Sequence, residues 1–311
     1  MKLTDYFSDE SIIRELCKAR ISFANRRHEA LFFHGIDVSR PSAEAIPWPD
    51  SWREIRPDIF PPRKQWNRFR PKDRSNKGRD YNLEALVRAV RHLLVETPNA
   101  EWAQALLETT AMIKHRALHE SPFRFTAPVI VPEPKDKKKN TYRPLASLFL
   151  VDRIIDCIAA RYFRETLNEA FLDSCLAFRP KQDGRHKGLD QILALRSACG
   201  EGGLFVAECD IKGFYDCVSH EVAREAFVEL IADAREQDDS LQIDARAIEM
   251  FEAYLGSYSF LVSVRRTAEP ELRKSRPGAT YPGGKRNWAD FAVQPQDWTV
   301  LVSHKVVHSQ R

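Results

Sequence analysis

Apolar residues recur at a helical period along much of the chain, and polar punctuation marks where each run stops. From Asn82, "NLEALVRAVRHLLVETP" places Leu83, Leu86, Val87, Val90, Leu93 and Leu94 on one face and ends at Pro98, which predicts an amphipathic helix. A second helix follows in "AEWAQALLETTAMIKHRAL", with Trp102, Leu106, Ile113 and Leu118 as its apolar positions. Further on, "VDRIIDCIAARYFRETLNEAF" sets Val151, Ile154, Ile155, Ile158 and Tyr162 on one stripe, with Asp152 near its start. Helical patterns also cover about Leu189 to Ala198, about His220 to Asp233 and about 242 to 256. Near the N-terminus, "DESIIRELCKARISFANRRHEALFFHG" reads as short helical patterns; Ile12, Ile13, Leu16 and Ile21 suit a helix capped by Ser8 or Asp9.

A different texture separates these helices. "FRFTAPVIVPEP" alternates and is rich in branched residues, so it reads as a strand entering the lysine-rich turn Lys135 to Asn140. "YRPLASLFL" leaves that turn as a partner strand or extended segment, and the pair predicts a hairpin with a basic tip. A glycine-rich turn then delivers "LFVAECD", a strand whose apolar run ends on acid.

At 311 residues the chain can bury a sizeable core, in one large or two ordinary domains. No apolar run approaches the roughly 20 residues that span a bilayer. The start "MKLTDYFSDESIIREL" is too acidic for a secretory signal, so a cytoplasmic protein is expected, with no membrane partner. The six cysteines never form a C-x-x-C pair, which suggests neither a zinc site nor a disulfide framework, and most are expected to be small buried hydrophobes.

Net charge is only +4 (48 basic minus 44 acidic), but the charge is unevenly spread. Residues 61–79, "PPRKQWNRFRPKDRSNKGR", hold eight Lys or Arg against the single Asp73, with Trp66 and Phe69 interleaved. Such a run attracts phosphate backbones through counterion release, and its aromatics could stack on bases. The same run equally fits a solvated basic loop. On the first view Arg63, Lys64, Arg68 and Arg70 are candidate template-binding residues.

The order of the pieces carries more than any one of them. A basic hairpin with "YRPLA", a helix, "LAFRPKQDGRHKGLDQIL", then a strand and "DIKGFYDCVSH" resembles the first half of a reverse transcriptase, in the group II intron, retron and bacterial defence-associated branch. The resemblance covers roughly residues 123–260. It implies an α+β fold of right-hand polymerase type, with fingers and a partial palm. The domains expected are a mainly helical N-terminal extension over 1–120 carrying the basic loop 61–79, the fingers and partial palm over 121–262, and an irregular tail over 263–311.

The resemblance also assigns residues. Arg143, with Lys135 or Lys137, would hold the triphosphate of an incoming deoxynucleotide, because guanidinium and ammonium groups neutralise a leaving pyrophosphate. Arg179 in "AFRP" would border the template; Arg185 and Lys187 would touch backbone phosphate or serve only as surface charge. Asp210 would be the catalytic carboxylate and a ligand to two Mg²⁺ ions, with the carbonyl of Ile211 completing one shell. Gly213 would let the backbone reach the triphosphate, the amide of Phe214 would donate to it, and Tyr215 would wall the sugar against a 2'-hydroxyl. Asp216 and His220 would fix the turn and cap the next helix.

Two later palm motifs of that family, a glycine-proline-glutamine-glycine type loop and an aromatic-x-Asp-Asp hairpin, are not found. Asp238 and Asp239 lie in the polar run "REQDDSLQI" and are expected to be solvent-exposed. From about Arg265 the composition turns rich in Pro and Gly, so the expectation is a truncated or frameshifted chain, or one whose remainder, the missing palm and thumb, lies on another polypeptide; activity of this chain alone is not expected. RNA-templated DNA synthesis, in a retroelement or an antiviral defence system, is the function the resemblance implies. RNA template, DNA or RNA primer and deoxynucleotides are the implied partners. The alternative is a non-catalytic nucleic-acid-binding module that docks RNA for a partner.

Overall fold

Ser8 opens the longest helix among the described residues. Its hydroxyl accepts the backbone N–H of Ser11 (3.3 Å), and its carbonyl accepts that of Ile12 (3.1 Å). Asp9 and Glu10 then place negative charge on the amino end of the helix dipole. This helix, α2 (Asp9–Ile36), follows the short α1 (Leu3–Tyr6) and runs unbroken for 28 residues, where the sequence suggests only short pieces. No Gly or Pro interrupts it before Gly35, so after the buried row Ile12, Leu16, Ala19 and Phe23 the charged second half continues the helix without an apolar stripe.

The computed structural model describes residues 2–36, 52–56, 58–71, 79–136, 140–171, 175, 184–199 and 219–281. It is mostly helical with one two-stranded antiparallel sheet, a mixed α+β composition. After α2 come α3 (Arg63–Trp66) with a 3₁₀ turn (Asn67–Phe69), α4 (Arg79–Glu96) and α5 (Glu101–His119). The hairpin is β1 (Val129–Asp136) and β2 (Thr141–Ser147). It leads to α6 (Leu150–Thr166), α7 (Gly184–Ala198), α8 (His220–Gln237), α9 (Ala245–Ser257), a π-helical stretch (Phe260–Ala268) and α10 (Glu269–Ser275). Among the described residues no helix is long and apolar enough to cross a membrane.

Two compact units result, Met1–Val129 with Ser147–Ser259, and Ile130–Ala146 with Phe260–Arg311. Within the first unit α1 and α2 pack on α6. In the first unit α2 lies against α4, α5 and α6, and α6 meets α9. The stripe expected on α6 is the centre of that core: Val151, Ile154, Ile155, Ile158 and Tyr162 are all buried. Removing each such side chain from water contributes about 1.5–3 kcal/mol. Leu83, Leu86, Val87 and Val90 of α4 are buried in the same cluster, with Leu106 and Ile113 of α5.

Polar contacts lock the first unit at both ends of α6. At its start the carboxylate of Asp152 is fully buried, with Oδ2 accepting the N–H of Thr126 (2.8 Å). Its Oδ1 lies 2.7 Å from Nη2 of Arg116 in an ion pair whose angle is not that of a hydrogen bond, so charge attraction dominates there. Burial still pushes the Asp152 carboxyl above its usual range, against the Thr126 N–H and the Arg116 charge. Beside it, Arg246 of α9 donates to the carbonyls of Ala117 (2.6 Å) and Arg116 (3.0 Å), satisfying the open end of α5. Toward the other end of α6, the Tyr162 hydroxyl accepts the N–H of Asp244 (2.9 Å), and the Tyr6 hydroxyl donates to Glu165 (2.8 Å).

Helix starts follow side-chain chemistry elsewhere too. Ser219, one residue before His220, caps α8 by accepting the N–H of Glu221 (3.1 Å); His220 is the first helical residue rather than the cap. Asp244 caps α9 through the N–H of Arg246 (2.9 Å). Asp238 and Asp239 are exposed as expected; hydrogen bonds from Ser240 hold the Asp238 carboxyl below its usual range. The cysteines depart from expectation: of those described, Cys17 is buried, while Cys157, Cys175 and Cys199 are exposed.

In the second unit the hairpin does not stand alone. Asn140 takes a left-handed backbone (φ 48°), which suits asparagine, and its carbonyl accepts the N–H of Thr280 (3.2 Å). The N–H of Tyr142 donates back to the Thr280 carbonyl (2.9 Å), so residue 280 pairs in parallel with β2. Arg276 then stacks on Tyr142 and donates to its hydroxyl (2.7 Å). Residues 260–275, expected to belong to an irregular tail from 263, are instead helical, and Val264, Leu272, Ala279 and Tyr281 are buried, while the rest of that expected tail lies outside the described residues.

Candidate nucleic-acid interface

The basic segment is a charged surface mounted on aromatic anchors. Trp66 of α3 is 5% exposed and Phe69 packs partly buried against the core, its ring 5.1 Å from His92 of α4. Burial of Trp66 corrects the expectation that it stacks on bases, because a ring without open faces cannot take a base between them. What it does instead is fix the segment, leaving Arg63, Lys64, Arg68 and Arg70 exposed. Arg70 also leans over the Tyr81 ring, 5.9 Å from its centre, which costs its charge nothing in solvent.

This surface reaches further than the sequence run that announces it. Arg20 of α2 is half-buried, and burial with the like charges of Arg27 and Arg63 lowers its pKa from the usual guanidinium range. Arg20 and Arg27 are seven residues apart and so share a helix face. Neither falls in the basic run 61–79, and only the i, i+7 spacing within "CKARISFANRRHEA" could have marked them.

Of the residues expected to hold a triphosphate, Lys135 on β1 and Arg143 on β2 are both exposed. Arg143 follows the buried Tyr142, so the strand alternation turns it to the opposite face. Lys137 lies outside the described residues, as do Arg179, Asp210, Ile211, Gly213, Phe214, Tyr215 and Asp216. Arg185 and Lys187 belong to α7. The structure thus brings together the basic residues of the first unit and sets two of the expected triphosphate contacts on one hairpin.

A carboxylate the sequence did not single out stands apart from these. Asp156 of α6 is half-buried, and among the described residues no hydrogen bond or ion pair reaches it. Burial alone pushes it up to about 6, and burial, helped by the Asp156 charge, raises the phenol of Tyr254 on α9. Compared with protein-family models, curated proteins and solved structures, the chain matches none.

Proposed function

We propose that the chain is the fingers and first palm portion of a reverse-transcriptase-like protein of right-hand architecture, whose complete form copies RNA into DNA by nucleotidyl transfer. The observation that carries this is the motif order "YRPLA", "AFRP", "DIKGFYDCVSH" together with a β-hairpin that presents Lys135 and Arg143 to solvent. On that hairpin Arg143 and Lys135 bind the triphosphate and neutralise charge as pyrophosphate departs. Gly213 admits the triphosphate to the backbone amides, and Tyr215 excludes a ribose 2'-hydroxyl.

Asp210 and Ile211, which lie outside the described residues, would offer a carboxylate and a carbonyl oxygen, hard donors of the kind Mg²⁺ takes; the ion would lower the pKa of the primer 3'-hydroxyl and stabilise attacking and leaving oxygens. One carboxylate is too few for two such ions, so a partner polypeptide supplies the rest. Primer extension on an RNA template with Mg²⁺ and deoxynucleotides tests this, comparing wild type with Asp210→Ala and Arg143→Ala. Extension should vanish in the first and need far more nucleotide in the second; extension that persists with Asp210→Ala removes that residue from the chemistry.

One observation favours a second reading, a non-catalytic nucleic-acid-binding module acting with a partner. The four basic residues at 63, 64, 68 and 70 are exposed on a segment anchored by Trp66. It requires RNA binding that weakens with salt and ignores both Mg²⁺ and Asp210→Ala.

A further inference from the structure

Some arginines of the first unit are neutralised at short range: Arg14 by Glu84 (2.7 Å), Arg224 by Glu252 (2.7 Å), Arg246 by Glu249 (2.6 Å) and Arg91 by Glu10. A second set is not. Among the described residues no carboxylate lies in ion-pair contact with Arg20, Arg26, Arg53, Arg63 or Arg153. All but the half-buried Arg20 are exposed.

Contacts link this second set around three buried rings. The Arg26 guanidinium sits 5.9 Å from the centre of the Phe23 ring, and that ring lies 5.7 Å from Trp52. The next residue, Arg53, stacks 4.3 Å over Phe149. The Phe149 carbonyl accepts the N–H of Arg153 (2.8 Å) across the first turn of α6, and Arg153 lies close enough to Arg26 for the two charges to repel. The aromatics fix the guanidinium stems while their own faces are covered, at 5%, 2% and 5% exposure for Phe23, Trp52 and Phe149. A surface that concentrates unneutralised guanidinium groups without open rings suits phosphates and offers nothing that reads a base. Glu54 is the acidic neighbour in this stretch, exposed beside Arg53.

We propose that Arg26, Arg53 and Arg153, continued by Arg20 and Arg63, grip the phosphodiester backbone of a nucleic acid without reading its sequence. This deepens the nucleic-acid reading above and rests on it. The five residues come from α2, the segment before α3, α3 itself and α6, which is why no sequence window shows them as a patch.

The test is fluorescence anisotropy of the full chain with single-stranded RNA, one homopolymer and one mixed sequence, titrated over a salt series. Arg26→Gln with Arg153→Gln should weaken binding to both RNAs alike and flatten the salt slope by roughly 1.4, at about 0.7 for each phosphate that is no longer neutralised. Arg26→Lys with Arg153→Lys should keep most of the slope, which separates missing charge from a disturbed fold, as should an unchanged thermal midpoint. An unaltered slope in the glutamine variant, while Lys64→Gln with Arg68→Gln and Arg70→Gln abolishes binding, overturns the grip but leaves the nucleic-acid reading standing. A wild type that binds neither RNA at low salt, or that instead sediments with anionic vesicles, overturns both.

Discussion

Replacing Asp156 by asparagine is expected to stabilise the protein near neutral pH and to lose that advantage in acid. The carboxylate is half-buried between α6 and Tyr254, and burial raises it from 3.8 to about 6. A group that binds its proton more tightly folded than unfolded makes the native state the more protonated one between about pH 4 and 6, so stability falls as pH rises through that window. A rise of that size corresponds to about 3 kcal/mol, reached above about pH 6 and absent below about pH 4. Asparagine keeps the shape and carries no charge, so Asp156→Asn should gain roughly 1–3 kcal/mol at about pH 7.5, with partial solvent contact setting the lower end. Urea unfolding followed by circular dichroism, with both proteins at about pH 7.5 and about pH 4, measures it as a difference in midpoint at constant slope. A variant less stable than wild type at neutral pH, or a difference that does not change with pH, would refute the assignment of an unpaired carboxylate. It would mean instead that Asp156 accepts a hydrogen bond the uncharged amide cannot replace.

Other changes test the polar locks around α6. Asp152→Ala leaves Arg116 without its buried counter-charge and Thr126 without its acceptor, and should destabilise by about 3–5 kcal/mol in chemical denaturation. Arg246→Lys keeps the charge but not the fork that reaches two carbonyls at the end of α5, and a loss of about 1–2 kcal/mol is expected by the same measurement. Tyr162→Phe strands the N–H of Asp244 and should cost about 1–3 kcal/mol, with faster amide exchange at the start of α9 as its local signature.

The sequence exposes those parts of the fold whose apolar residues repeat on one face. α4, α5, α6, α8 and α9 are legible for that reason, and the hairpin is legible from its branched residues and lysine-rich tip. Periodicity tells which face is buried but not against what, so the packing of α1 and α2 on α6 has no sequence signal. Length is equally hidden where a helix is held by propensity without a stripe, as in the second half of α2. In the candidate interface, a charge run identifies Arg63 to Arg70 but cannot say that Trp66 turns inward. Arg26, Arg53 and Arg153 come together only through folding, and Asp156 is unusual because no hydrogen bond or ion pair reaches it among the described residues, which no residue string displays. The helical stretch at 260–275 is obscured by the Pro- and Gly-rich composition that follows it.

The bond from Tyr6 to Glu165 joins residues 159 positions apart. On a ribosome adding roughly 5–20 residues per second, α1 and α2 therefore leave the exit tunnel some 8 to 30 seconds before the helix that covers them has been made. Throughout that delay Leu3, Phe7, Ile12 and Leu16 have no α6 to cover them, and a nascent-chain chaperone is the natural temporary cover.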